Sequence, residues 1–269
     1  MTNQIEDGIY RKTIAGENLS EYEIIDFHAH SGNTAEFYSP DGSAGAMVRT
    51  MDRIGIKAAG VSSMTALAGD FHDGNLMVAR EAEAYQGRIY GYTVVNPRYP
   101  DDAHPEMEYF LNKPGMKGIK IHPTMHDTRV TDKSYAPVFE FAGEHGLPVL
   151  IHTWNDYRCH PNLFDKLAYE YPNVDFVLGH SGMPDFTAAA EAARKRRNVY
   201  LELTAASFNY GVVEYFAGLV PDEQIIYGSD MGGWFSPFYG IGSVLYAKIP
   251  DASKLKILSG NSKRLLRLG

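Results

Sequence analysis

A single cysteine, Cys159, stands among 269 residues, so no disulfide can form within the chain. The fold must be held by its core, and a reducing compartment, the cytoplasm, is expected. No apolar run approaches the roughly 20 residues of a membrane span. The opening stretch, MTNQIEDGIY, is polar and acidic where a secretory signal would be apolar. Basic excess is missing as well: the formal net charge is -8, and the one basic run, Arg194 to Arg197, reads as a solvated helix end. These absences argue against membrane and nucleic-acid partners and leave a soluble protein that acts on a small molecule. Assembly into a homo-oligomer is left open.

What is present is an ordinary globular composition, 44% hydrophobic and 22% charged, enough to bury a core. Short apolar runs recur at YEIIDFHAH, KAAGVSSM, IYGYTVVNP, MKGIKIHP, LPVLIHTW, VDFVLGHSG, VYLELTA and QIIYGSD. They lie roughly 25 to 35 residues apart, the size of a strand–helix unit. Helical patterns fill the gaps, with Gly87 and Gly146 as C-terminal caps and Pro184 near a first turn. Eight such units predict a single-domain (β/α)8 barrel over residues 1–269. An open, doubly wound sheet is the structural competitor.

Chemistry concentrates at the predicted strand ends. Residues i and i+2 of a strand share a face, so His28 and His30 point the same way, as do Lys120 and His122. His152 and His180 fall at the ends of the fifth and sixth strands, and Asp230 at the end of the eighth. A barrel gathers these ends at one mouth, where active sites of this fold lie. Five imidazoles and a carboxylate converging there predict a divalent metal site, zinc first and manganese as the alternative. Asp230 and His180 are the candidate proton-transfer groups. Arg158 and Trp234 lie in segments that should overhang the mouth, as a carboxylate clamp and a pocket wall. His72, His104, His126 and His145 are expected at the surface.

The pieces IDFHAH, GIKIHP, PVLIHT, FVLGHSG, IIYGSD and ILSGNSKRLLRL, in this order from about Glu23 to Leu268, resemble the amidohydrolase superfamily, in particular its amidohydrolase family 2 branch of decarboxylases and lactonases. The resemblance implies a metal-bearing barrel with His28, His30, His152 and Asp230 as ligands. It implies that His180 either contacts the substrate or activated water or, in binuclear members, binds a second metal. Lys120 then has two readings: a carboxylated lysine bridging two ions, or an ordinary ammonium that binds a substrate carboxylate or pairs with Asp230; His122 is expected to bind substrate or to extend the polar network. The expected function is metal-dependent hydrolysis of a small ester, lactone or amide. The alternative is non-oxidative decarboxylation or hydration of an unsaturated or aromatic acid on the same scaffold. A non-catalytic, metal-stabilised binding barrel is the third reading.

Overall fold

The computed structural model describes residues 7–34 and 39–269. Eight parallel strands pair in sequence order: β1 (Ile24–Ser31), β2 (Ile56–Ser63), β3 (Ile89–Val94), β4 (Met116–Ile121), β5 (Val149–His152), β6 (Phe176–Gly179), β7 (Val199–Glu202) and β8 (Ile225–Ile226). The ring closes where the chain beyond β8 returns to β1: Phe27 N–H donates to the Tyr227 carbonyl at 3.0 Å, and His30 N–H to the Met231 carbonyl at 2.8 Å. Helices lie between successive strands, so the expected (β/α)8 barrel is the fold observed. No helix among the described residues is long and apolar enough to cross a membrane.

Period-two alternation sorts each strand into two layers. Ile119, Ile121, Val149, Ile151, Phe176, Leu178, Val199, Leu201 and Ile225 pack outward in the main core beneath the helices. Phe27, Tyr92, Leu150, Val177, Tyr200 and Ile226 point inward and, with Leu265 and Leu266, plug the barrel. The next inward positions, two residues further along, are the polar ones: Lys120 after Gly118, His152 after Leu150, Glu202 after Tyr200. A register break in β1 between Asp26 and Ala29 separates inward-packed Phe27 from the two mouth histidines, a common use of an irregular strand.

Several predicted boundaries shift. β8 is only two residues long, so Asp230 lies four residues beyond it, on a loop and at φ 59°. The helix expected to run to Gly87 ends at Ala84, whereas Gly146 does cap the helix Ala136–His145, at φ 61°. Pro184 precedes the helix Phe186–Lys195, whose cap is Asp185, its side chain accepting Ala188 N–H. His126 is not a surface residue: it is buried, in the turn after β4.

Tyr92 is the keystone of the plug. Its hydroxyl donates to the Phe27 carbonyl at 2.8 Å, and its ring fills space left by two glycines. A Cβ at Gly60 would meet Tyr92 Oη at 2.1 Å, and one at Gly118 would meet its Cδ1 at 2.7 Å. Overpacking of this kind costs about 1–3 kcal/mol. Gly60→Ala is therefore expected to lower the denaturant midpoint accordingly; an unchanged midpoint in chemical unfolding would show that Tyr92 yields freely.

Candidate metal centre

β1 places His28 and His30 at the mouth, and the loop after β8 brings Asp230 over them. His30 Nε2 lies 2.9 Å from Asp230 Oδ1, and His28 Nε2 lies 3.2 Å from His30 Nε2 and 3.7 Å from Asp230 Oδ1. One donor atom from each of these three buried residues falls within 4.8 Å of the others. His152 stands one ring further out. Its centroid is 4.8 Å from that of His180 and 3.9 Å from that of His122, and it lines the same cavity. Three of the four expected ligands are thus grouped tightly, with the fourth adjacent.

Glu202 organises the group. Its Oε2 accepts from His28 Nδ1 at 3.1 Å and from the His180 backbone N–H at 3.0 Å. Its Oε1 accepts from the Thr204 N–H at 2.7 Å and from the Thr204 hydroxyl. The His180 and Thr204 backbone N–H groups and the Thr204 hydroxyl donate to Glu202, and opposite its ionised carboxylate His28 carries its proton on Nδ1. The His28 lone pair is then on Nε2, directed at His30, Asp230 and Lys120. Burial raises the Glu202 carboxyl to about 7 against these hydrogen bonds.

Lys120 Nζ lies 2.8 Å from His28 Nε2, in full burial, which lowers its amine to about 8 although Asp230 and Glu202 oppose the shift. Burial likewise holds His28, His122, His152 and His180 well below the ordinary imidazole range, so all four are neutral. Asp230 moves the other way. Burial would raise it, but the hydrogen bond from His30 holds it well below the usual carboxylate range. Among the described residues, the buried Nδ1 of His180 has no hydrogen-bond partner. Neutral imidazoles with directed lone pairs, an ionised carboxylate and an unpaired ring nitrogen are the donor set that a zinc- or manganese-class ion takes. The residues present therefore fit such an ion.

The cavity above this group measures about 380 Å³ and is lined by His28, His30, Lys120, His122, His152, His180, Asp230 and Trp234, with Met64, Leu67 and Met125 forming an apolar wall. Arg158 is not part of it. Its guanidinium is taken up by Asp127 at 2.7 Å and Asp156 at 2.7 Å, so the expected carboxylate clamp is an internal ion-pair network. Phe235 closes on His180, with ring centroids 6.2 Å apart.

Sequence reasoning missed Asp26 and Ser62. Ser62 Oγ lies 3.0 Å from His30 Nδ1. Asp26, two residues before His28, accepts from the His28 N–H at 3.1 Å, the Ser229 N–H at 3.0 Å and the Ser229 hydroxyl. It fixes the residue before Asp230, and the i+2 spacing in IIDFHAH was its available signal. Removing it strands three donors in the interior. Asp26→Ala is expected to cost roughly 2–4 kcal/mol in chemical denaturation of the metal-free protein; a loss within experimental error would show that the loop finds other partners.

Comparison with known proteins follows the same lines. A family model described as amidohydrolase matches residues 25–268. Curated proteins give no match. Among solved structures, the chain is similar to 5-carboxyvanillate decarboxylase from Novosphingobium aromaticivorans, determined with bound manganese, at 14% identity and TM-score 0.74, covering 93% of this chain and 98% of that one. It is similar to 2,6-dihydroxybenzoate decarboxylase from Rhizobium at 14% identity and TM-score 0.72, covering 92% and 98%. It is also similar to a probable 2-pyrone-4,6-dicarboxylic acid hydrolase from Acinetobacter baumannii at 15% identity and TM-score 0.70, covering 91% and 99%. At such identities the likeness is one of fold.

Proposed function

This chain belongs to the amidohydrolase family, and on that premise we propose that it is a divalent-metal-dependent, non-oxidative decarboxylase of a small aromatic or unsaturated carboxylic acid. The observation that carries the reading is the cavity's division. The cavity is lined by the polar His28, His30, Lys120 and Asp230 and by the apolar Met64, Leu67 and Met125, together with Trp234. A flat acid matches that division: its carboxylate meets the polar residues and its ring the apolar ones. Two of the similar structures named above are decarboxylases of carboxylated aromatic compounds, which supports the choice.

His28, His30, His152 and Asp230 would hold the ion, which supplies Lewis-acid charge stabilisation for the substrate's oxygens when bound. The chain's own groups do the rest. Lys120 offers the compensating charge for the acid. Asp230, ionised at rest, accepts the acidic proton that a ring hydroxyl or enol brings and returns it to the carbon from which carbon dioxide departs. That carbon thereby exchanges its bond to the carboxyl carbon for one to hydrogen, and the substrate oxygen is left as the anion. His180, with its free ring nitrogen, steadies the reacting group. The apolar wall keeps water from competing.

Hydrolysis of a lactone, ester or amide remains the second reading. An ionised Asp230 beside His180 is also the arrangement that activates a water, and Lys120 can polarise a carbonyl. A product assay on hydroxybenzoates, unsaturated acids, lactones and amides separates the two. Carbon dioxide release is the expected result, whereas ring opening of a lactone without it would replace decarboxylation with hydrolysis.

Three further outcomes are expected. Elemental analysis should find about one divalent ion per chain, with Lys120 an unmodified amine. Two ions would point to a carboxylated Lys120 and His180 as the second site. Glu202→Ala should weaken metal affinity by about 10–100-fold, because His28 loses the partner that directs its lone pair; metal titration with an unchanged constant would refute that role. His180→Asn should retain the ion and lower turnover by roughly 100-fold or more. Full turnover in that variant would remove His180 from the chemistry.

A further inference from the structure

His122 follows β4 directly, and its ring is held on two sides. The Met125 backbone N–H donates to its Nδ1 at 3.2 Å. The His152 ring stacks on its face, with centroids 3.9 Å apart and planes 11° from parallel. A backbone amide can only donate, so Nδ1 must present a lone pair, and the proton of the neutral ring sits on Nε2. His30 differs here: its Nδ1 faces the Ser62 hydroxyl, which can donate or accept.

Among the described residues nothing takes up the Nε2–H of His122. The residue is half-buried and lines the cavity. The ring edge turned away from Met125 therefore offers an unspent, uncharged donor to whatever fills that space. Lys120, two residues earlier on the same face, lines the same side with its amine against His28. Met64, Leu67 and Met125, which line the same cavity, carry no strong side-chain acceptor, so the donor is open to solvent or to a ligand.

We propose that His122 determines specificity by donating its Nε2–H to an oxygen acceptor that the substrate carries in addition to its carboxylate. This rests on reading the cavity as an acid-binding site and goes beyond it by naming a second group the acid must bear: a carbonyl, alkoxy or hydroxyl oxygen. An acid with an alkyl group in that place displaces water from the N–H without pairing it and binds more weakly, as donors left unpaired disfavour ligands that cannot pair them.

Binding can be read without turnover, because Trp234 lines the cavity and is one of two tryptophans in the chain. The probes are the acetylbenzoates and the shape-matched isopropylbenzoates, equal in charge and different in the carbonyl acceptor. Titrated into the metal-loaded protein and followed by tryptophan fluorescence, the best acetyl isomer is expected to bind roughly tenfold more tightly than its isopropyl counterpart. His122→Phe keeps a flat ring for the stack on His152 and should bring the two families level, with metal content measured as the control for folding. His122→Gln places an amide donor near the former Nε2 and should restore most of the preference. Wild-type protein that prefers no acetyl isomer, or His122→Phe that keeps the preference, overturns the proposal. Absence of carbon dioxide release would defeat decarboxylation while leaving this binding result intact, so the two failures are distinguishable.

Discussion

The hydrogen bond between His28 Nδ1 and the Glu202 carboxylate, 3.1 Å long and wholly buried, is the contact on which the mouth of this barrel depends. It joins the first strand to the seventh, and it decides which nitrogen of His28 is free. Glu202 can do this because Thr204 and the His180 backbone saturate its remaining acceptor positions. An ionisable carboxyl in a dry interior is tolerated only when its lone pairs are spent in this way. The free Nε2 then meets His30, Asp230 and Lys120, and the geometry of the candidate ion site follows.

Beneath this polar layer lies an apolar one, and the two are set by the same alternation. Leu150 and Tyr200 pack the plug two residues before His152 and Glu202 enter the mouth. Rigidity below is what allows expensive groups above to be held in register. The second carboxylate, Asp26, performs the matching task for the loop beyond β8, whose Ser229 it fixes. Asp230 sits at φ 59° and His180 at φ 65°. Non-glycine residues held in the left-handed region concentrate at functional sites, where surrounding contacts over-determine them.

Much of this was readable from the chain. The i, i+2 spacing gave His28 with His30 and Lys120 with His122, and the count of apolar runs gave the barrel. Asp230 was recognisable from its motif, but not its delivery: a two-residue β8 cannot carry it, and the loop is placed by a carboxylate 203 residues away in sequence. The Glu202 pairing to His28 spans 174 residues, and only closure of the ring, with β8 alone between β7 and β1, makes His28 its partner. Arg158 shows the reverse limit. A loop arginine near a mouth looks like a substrate clamp until the folded chain supplies Asp127 and Asp156. His126 was expected outside because it lies in a turn, yet the turn packs against the segment after β2, beside the apolar cluster containing Met64 and Leu67.

The central claim is that imidazoles and one carboxylate at this mouth hold a divalent ion through the lone pairs that Glu202 and its neighbours direct. X-ray absorption at the metal edge of the zinc- or manganese-loaded protein tests it most directly. The account predicts nitrogen and oxygen ligands near 2.0–2.2 Å with the outer-shell scattering of several imidazoles, and a lower imidazole count when His28 is replaced by alanine. An ion surrounded by water oxygens alone, or a spectrum unchanged by His28→Ala, would contradict it.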